Sequence, residues 1–312
     1  MISVLLGSEQ LLTSGLLAGA RVGLVASSAS IDHRFQHIAE PISALPDTTL
    51  VALFGPQHGF YADVQDNMIE TDHGYHPEFN IPIYSLYSDT REPTDAMFEG
   101  IDLLVIDLQD VGTRVYTYAY TMANCLRAAA RHNIRVIVCD RPNPIGGEVV
   151  EGPVLEQNFS SFVGQFSIPL RHGLTIGELA RLFNEHFEIG AQLTVSPLTG
   201  WSRDLYASEH DIPWIYPSPN LPTVDSTVVY PGTVLVEGTT LSEGRGTTRP
   251  FELIGAPGVN PNALALDLNA LDLPGVRFRS TTFEPTFQKH VGKTCGGCQL
   301  HVTDRRTFRP VV

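Results

Sequence analysis

The sequence has little with which to hold a metal, cross a membrane or grip a polyanion. Only four of its 312 residues are cysteine. Cys125 falls in an alanine-rich helical stretch and Cys139 at the end of an apolar strand, and both read as buried thiols. Cys295 and Cys298 form a C-x-x-C in "KTCGGCQL", but no second Cys or His pair stands at zinc spacing, so neither a metal site nor a disulfide framework is expected. Lysine and arginine number 20 against 34 aspartates and glutamates, and the net charge of −14 argues against nucleic acid or an anionic membrane as partner. No apolar run approaches the roughly 18 to 20 residues that span a bilayer. The start, "MISVLLGSEQLLTSG", lacks the basic opening and cleavage pattern of a secretory signal, so the chain as given reads as cytoplasmic unless an export segment precedes it. Nucleotide motifs are missing too. There is no Walker A pattern, Gly244-x-Gly246 is too short for a dinucleotide fingerprint, and the first turn, "LVASSASID", has no glycine cluster. No cofactor is expected.

What is present is a globular composition, 43% hydrophobic and 17% charged, in a chain long enough for two domains. Short runs rich in Val, Ile and Leu recur at Val22–Ala26, Leu50–Phe54, Ile81–Leu86, Ile101–Leu108, Ile134–Cys139 and Leu193–Val195. They show little polar alternation, the pattern of strands buried on both faces. Helical periodicity lies between them, over Val115–His132 and over Thr175–Glu188, where Thr175 and Glu178 are spaced as a capping box. Strands alternating with helices predict an α/β domain with a mainly parallel sheet. The proline-dense stretch "DIPWIYPSPNLPT" (Asp211–Thr223) can be neither helix nor central strand and reads as a rigid connector. From about Val228 the texture turns to Gly, Thr and Pro. The division expected is an α/β domain over 1–230 and a smaller α+β domain over 231–312.

Ligands of open parallel sheets bind beyond the carboxyl ends of the strands, so residues just after each run are the first site candidates. Gln57 and His58 follow the second run in "FGPQHGF", although a glutamine has no proton to exchange near neutral pH. Asp107 lies inside the fourth, and Gln109 and Asp110, then Arg114 and Tyr116, follow it. Asp140, Arg141 and Asn143 follow the fifth, with Glu151 beyond them and Arg171-His172 ahead of a helix. Each has a plain alternative. Asp140 suits a turn, Asp107 and Asp110 suit a helix cap, the tyrosines suit core packing as well as sugar stacking, and Arg171-His172 suits a helix entrance. In the second domain Glu243 and Arg245 sit in "SEGRG", either as a charged turn or as a loop that closes a cleft.

The stretches "LFGPQHGF", "PIYSLY", "IDLLVIDLQDVGTRVYTY", "DRPNPIGG", "VEGP", "IPLRHGLTIGELA", "PSPNLPT", "VYPGT", "EGTTLSEGRGTTRPFELIGAP" and "LHVTDR" together resemble the exo-β-N-acetylmuramidase (NamZ-like) family. The resemblance runs from about Val22 to the end. It implies a Rossmann-like domain followed by a smaller one, and hydrolysis of terminal β-linked N-acetylmuramic acid from peptidoglycan fragments without a cofactor. The partner implied is a muramyl glycoside, whose lactyl carboxylate would meet Arg114, Arg141 or Arg245. The catalytic candidates are then Gln57, His58, Glu151 and Glu243. Asp107, Gln109, Asp110, Tyr116, Asp140, Asn143, His172 and Asn220, with those arginines, line the substrate. The family is expected to carry Gly-Pro-Glu-His where this chain has Gly-Pro-Gln57-His58. Two alternatives follow from that change, a muramyl-sugar binder with impaired turnover and a hydrolase of another acidic glycoside. The chain ends on "DRRTFRPVV", inside what resembles a longer domain, so the second domain is expected to be incomplete there.

Overall fold

The computed structural model describes residues 1–66 and 69–312. The chain forms two compact units, Met1–Pro219 and Asn220–Val312. In chain order the first holds helix α1 (Gly7–Thr13), strand β1 (Arg21–Ala26), α2 (Ala39–Ser43), β2 (Thr49–Gly55), β3 (Gly74–Tyr75), β4 (Pro82–Ser85) and β5 (Leu103–Asp107). Then follow α3 (Tyr118–His132), β6 (Arg135–Cys139), β7 (Glu151–Val154), β8 (Pro169–Arg171), α4 (Ile176–Arg181) and β9 (Gln192–Ser196).

Seven of these strands make one sheet in the order β3-β4-β2-β1-β5-β6-β9, parallel throughout except for the short edge strand β3. The parallel strands run outward from β1 in both directions, which is the Rossmann-like order, and the direction of progression reverses between β1 and β5. The central apolar runs are buried at successive positions, hence on both faces of the sheet. Leu24, Leu53, Val105, Ile137 and Cys139 lie in one buried cluster with Ile38 and Ile42 near α2. Fully burying an aliphatic side chain of this kind contributes roughly 1.5–3 kcal/mol.

Helix α3 starts three residues later than its periodicity predicts. Residues 113–117 are committed elsewhere: Thr113 bridges Arg171 and the Arg114 N–H donates to the Leu170 carbonyl (2.7 Å). At its far end Asn133 turns left-handed (φ 55°), and the Ile134 N–H closes back on the Ala129 carbonyl at 2.9 Å. In α4 the expected capping box is present. The Thr175 hydroxyl accepts from the Glu178 N–H, and the Glu178 carboxylate accepts from the Thr175 N–H. Strands β7 and β8 form a separate antiparallel hairpin that pairs Glu151 with Arg171.

The second unit contains α5 (Val224–Thr233), β10 (Leu253–Ala256), α6 (Pro261–Ala270), β11 (Val276–Phe283) and β12 (Cys295–Val302). Its three strands are antiparallel in the order β10-β12-β11, with α6 packed on β11 and β12. Asn260 caps α6 by accepting from the Asn262 and Ala263 N–H groups, with Pro261 at the first helical position. Cys295 and Cys298 are free thiols three residues apart on β12. Their side chains leave opposite faces of an extended strand, with Cα atoms about 10 Å apart by strand rise, beyond the reach of a disulfide.

Candidate active site

Strand β2 ends at Gly55, and the chain turns so sharply that His58 and Gly59 both take positive φ (72° and 83°). A left-handed histidine costs about 1–2 kcal/mol and has to be held. His58 is held at both ring nitrogens: Nδ1 lies 2.7 Å from the Val64 carbonyl and Nε2 lies 3.0 Å from the Ser218 hydroxyl. A carbonyl can only accept, so Nδ1 carries the proton and Nε2 accepts from the serine. Beside it, the Gln57 Oε1 accepts from the Thr117 hydroxyl at 2.8 Å. Tyr118 donates to the Pro217 carbonyl at 2.6 Å, and its ring packs on Tyr116 with centroids 4.7 Å apart. Gln57 and His58 are both buried.

The strand ends of β5 and β6 carry two further acidic groups with structural partners. Asp107 and Arg141 form a two-pronged pair, Nε to Oδ1 at 2.5 Å and NH2 to Oδ2 at 2.8 Å, and the same NH2 donates to the Ile31 carbonyl at 3.0 Å. Both are enclosed, Arg141 with 2% of its surface exposed. Arg141, expected to meet a substrate carboxylate, instead spends its guanidinium on Asp107 within the fold. Asp140 accepts from the Gly177 N–H, the Thr175 hydroxyl and the Arg141 N–H, so it caps the start of α4. Burial raises its pKa to about 6, against the pull of these donors. Gln109 donates to the Asp110 and Pro142 carbonyls. Asn143 donates to the Leu174 carbonyl and accepts from the Ile145 N–H, so both amides fasten loops.

A second constellation forms where the loop after β5 is laddered onto the β7–β8 hairpin. The His172 N–H donates to the Gly112 carbonyl, Arg114 to Leu170, and Thr113 bridges Arg171. Glu151 and Arg171 pair at 2.8 Å with side chains 7% and 3% exposed. Asp110 Oδ2 accepts from the Gly112 N–H at 2.7 Å and lies 3.2 Å from His172 Nε2. The His172 Nδ1 accepts from the Leu174 N–H, which places the ring proton on Nε2. Arg114 NH1 spans the hairpin, donating to Pro153 on one side and Ile168 on the other. What distinguishes this region is the polar atoms left over. Asp110 Oδ1, Glu151 Oε1, Thr113 Oγ1, Arg114 Nε and Arg171 Nε are all buried without a hydrogen-bond partner, while His172 Nε2 faces only Asp110. Each costs about 1–3 kcal/mol if it stays unpaired, and native proteins carry few such atoms. Two carboxylate oxygens and several donors without protein partners thus belong to one laddered stretch of the chain.

The second unit holds a different cluster. Glu243 is buried between two cations, Arg245 NH1 at 3.2 Å and Lys289 Nζ at 3.3 Å. Arg245 also pairs with Glu237 and lies over the Phe251 ring, 4.8 Å from its centroid. Lys289 further donates to the carbonyls of Val236, Glu237 and Leu241. Gly244 and Gly246 (φ 83° and 78°) make the tight loop that brings Glu243 and Arg245 to this cluster; a Cβ on Gly244 would press on the Arg249 and Leu253 carbonyls. Asn220 is buried at the start of this unit.

The structure thus joins Gln57, His58, Asp110, Arg114, Tyr116, Glu151 and His172 through one continuous stretch, residues 109–118, which touches Gln57 at one end and the hairpin at the other. Asp107, Arg141 and Asp140 lie in structural pairs behind it. Glu243, Arg245 and Asn220 belong to the second unit. Thr117, Ser218 and Lys289 were not legible as partners because their contacts join residues 46 to 160 positions apart. Arg171 had a signal in "PLRHG", but its place opposite Glu151 needs the hairpin register.

Comparison with known proteins agrees along the whole chain. Residues 22–225 match the N-terminal region of the exo-β-N-acetylmuramidase NamZ, and residues 228–312 match its C-terminal region. The chain is 50% identical over 295 residues to the peptidoglycan β-N-acetylmuramidase NamZ of Bacillus subtilis (strain 168), covering 95% of this chain and 71% of that one. Among solved structures, a DUF1343 family protein from Bacteroides fragilis NCTC 9343 superimposes with a TM-score of 0.92 at 36% identity, covering all of this chain and 80% of the other. A second DUF1343 protein of that strain gives 0.73 at 29% identity, over 95% of this chain and 76% of its own.

Proposed function

We propose that this chain, which belongs to the exo-β-N-acetylmuramidase NamZ family across both of its units, is a glycosidase that removes terminal β-linked N-acetylmuramic acid from peptidoglycan fragments. Glycoside cleavage of the usual kind takes two carboxyl groups, one to protonate the leaving oxygen and one to act as base or nucleophile. In this reading Asp110 and Glu151 supply them. The side chain of each is largely enclosed and each keeps one oxygen without a protein partner, and that is the observation that carries the assignment. Glu151, fixed by Arg171, serves as base or nucleophile; Asp110 gives and takes the proton of the leaving group. Arg114, with its buried Nε unpaired, receives the lactyl carboxylate.

Gln57 and His58 position the sugar. The amide of Gln57 can orient a hydroxyl or a water but cannot replace an acid. Glu243 is read as structural, because two cations and a closed loop already occupy its carboxylate. The test is release of the chromophore from a chromogenic β-N-acetylmuramide. The wild-type protein is expected to release it and Asp110→Asn to lose about 100-fold or more in kcat. A folded wild-type protein that releases nothing between pH 4 and 9 overturns the proposal, and binding without release would leave a muramyl-sugar binding protein in its place.

A further inference from the structure

We propose that Arg171 is the positioning residue for Glu151, orienting the carboxylate that serves as base or nucleophile; this rests on the reading of Glu151 given above. Register alone places the two opposite each other on β7 and β8. The guanidinium is then fixed from several sides before it meets Glu151. One NH2 donates to the Ile145 carbonyl at 2.6 Å and lies 3.4 Å from the Tyr206 hydroxyl, while the Arg171 backbone bridges Thr113. With the cation immobile, its NH1 takes Glu151 Oε2 at 2.8 Å and leaves Oε1 unengaged.

An arginine placed only to stabilise the hairpin would be expected to use its donors within the protein. Here Arg171 Nε is buried without a partner, alongside the unengaged carboxylate oxygen. A planar fork holding one carboxylate oxygen in place is a device for aiming the other, because guanidinium geometry fixes the direction of the bond as well as its length. The adjacent residue, His172, stands against Asp110, so the end of β8 addresses both carboxylates from consecutive positions.

Two measurements on the full chain test this. First, Arg171→Gln is expected to lower kcat on the chromogenic muramide about 100-fold with KM within about threefold, and Arg171→Lys to recover part of the loss. Second, Glu151→Ala should regain activity in concentrated sodium formate, since formate can sit on the guanidinium in place of the missing carboxylate. Glu151→Ala/Arg171→Gln should not regain it. Equal formate rescue with and without Arg171, or a kcat of Arg171→Gln close to wild type, overturns the inference while the glycosidase reading stands. Failure of formate to rescue Glu151→Ala also overturns it. If Arg171→Gln does not fold, Arg171→Lys decides: a wild-type kcat counts against positioning, and a fall in kcat at constant KM supports it. A wild-type protein without activity refutes the parent reading instead.

Discussion

A glutamine at position 57 keeps the outline of a carboxylate without its proton. Its Oε1 already accepts from Thr117, and a glutamate oxygen at the same place could accept that bond, although the other carboxylate oxygen cannot donate as the amide nitrogen does. Gln57 is buried, so a carboxylate there pays desolvation, and Gln57→Glu is expected to lower stability by about 1–3 kcal/mol at neutral pH and by less at pH 4. It should also raise kcat by about tenfold or more, a fraction of what a well-placed acid-base group supplies. Steady-state kinetics and a denaturant titration check both halves. An unchanged kcat would leave proton transfer wholly to Asp110 and Glu151. The motif around Gln57 could be read in sequence because it is contiguous. Its support from Thr117 and Ser218 could not, because nothing local marks residues 60 and 160 positions away as neighbours.

At the scale of elements, the strands were legible and their ends less so. Runs such as Leu103–Asp107 are buried on both faces and admit little else. Hairpin β7–β8 is not legible in the sequence because Gly152 and Pro153 are poor strand formers, and its pairing is long-range. Helix α4 carries a testable consequence of its cap. Burial lifts the Asp140 pKa to about 6 in the folded protein, from an ordinary value of 3.8. A raised carboxyl pKa means the folded state binds the proton more tightly. The contribution is therefore fully present below about pH 4 and is lost as pH rises through 6. At 1.36 kcal/mol per unit, the stability of the wild type relative to Asp140→Asn should fall by about 2–3 kcal/mol between pH 4 and 7. Urea titrations at both values measure it, and a pH-independent difference would mean that folding leaves the Asp140 pKa unshifted.

For the whole molecule, the two units each build a buried polar cluster of their own. Asp107–Arg141 lies in the first, and Glu237, Arg245, Glu243 and Lys289 in the second. The change of texture past residue 228 made a second domain legible, and the doubly wound first domain followed from alternating runs. The lysine cluster did not, since its carbonyl acceptors lie 48 to 53 residues from Lys289. Lys289→Met would strip Glu243 of one cation and three carbonyls of a donor. The Lys289 side chain is 29% exposed, so a loss of about 2 kcal/mol is expected rather than the larger cost of breaking a fully buried pair. Amide hydrogen exchange should quicken across residues 236–243 and leave β1, β5 and β6 protected. Faster exchange throughout the sheet would instead mean that the two clusters fail together.

The Thr117–Gln57 bond has a consequence for heredity. Glutamine and glutamate codons differ only in their first base, and the side chains differ by one terminal atom. The pocket around residue 57 already offers a hydroxyl that serves either. A lineage carrying this chain can thus cross between the two by a single nucleotide substitution that keeps the Thr117 bond, so the amide can be gained or reverted on a short evolutionary path.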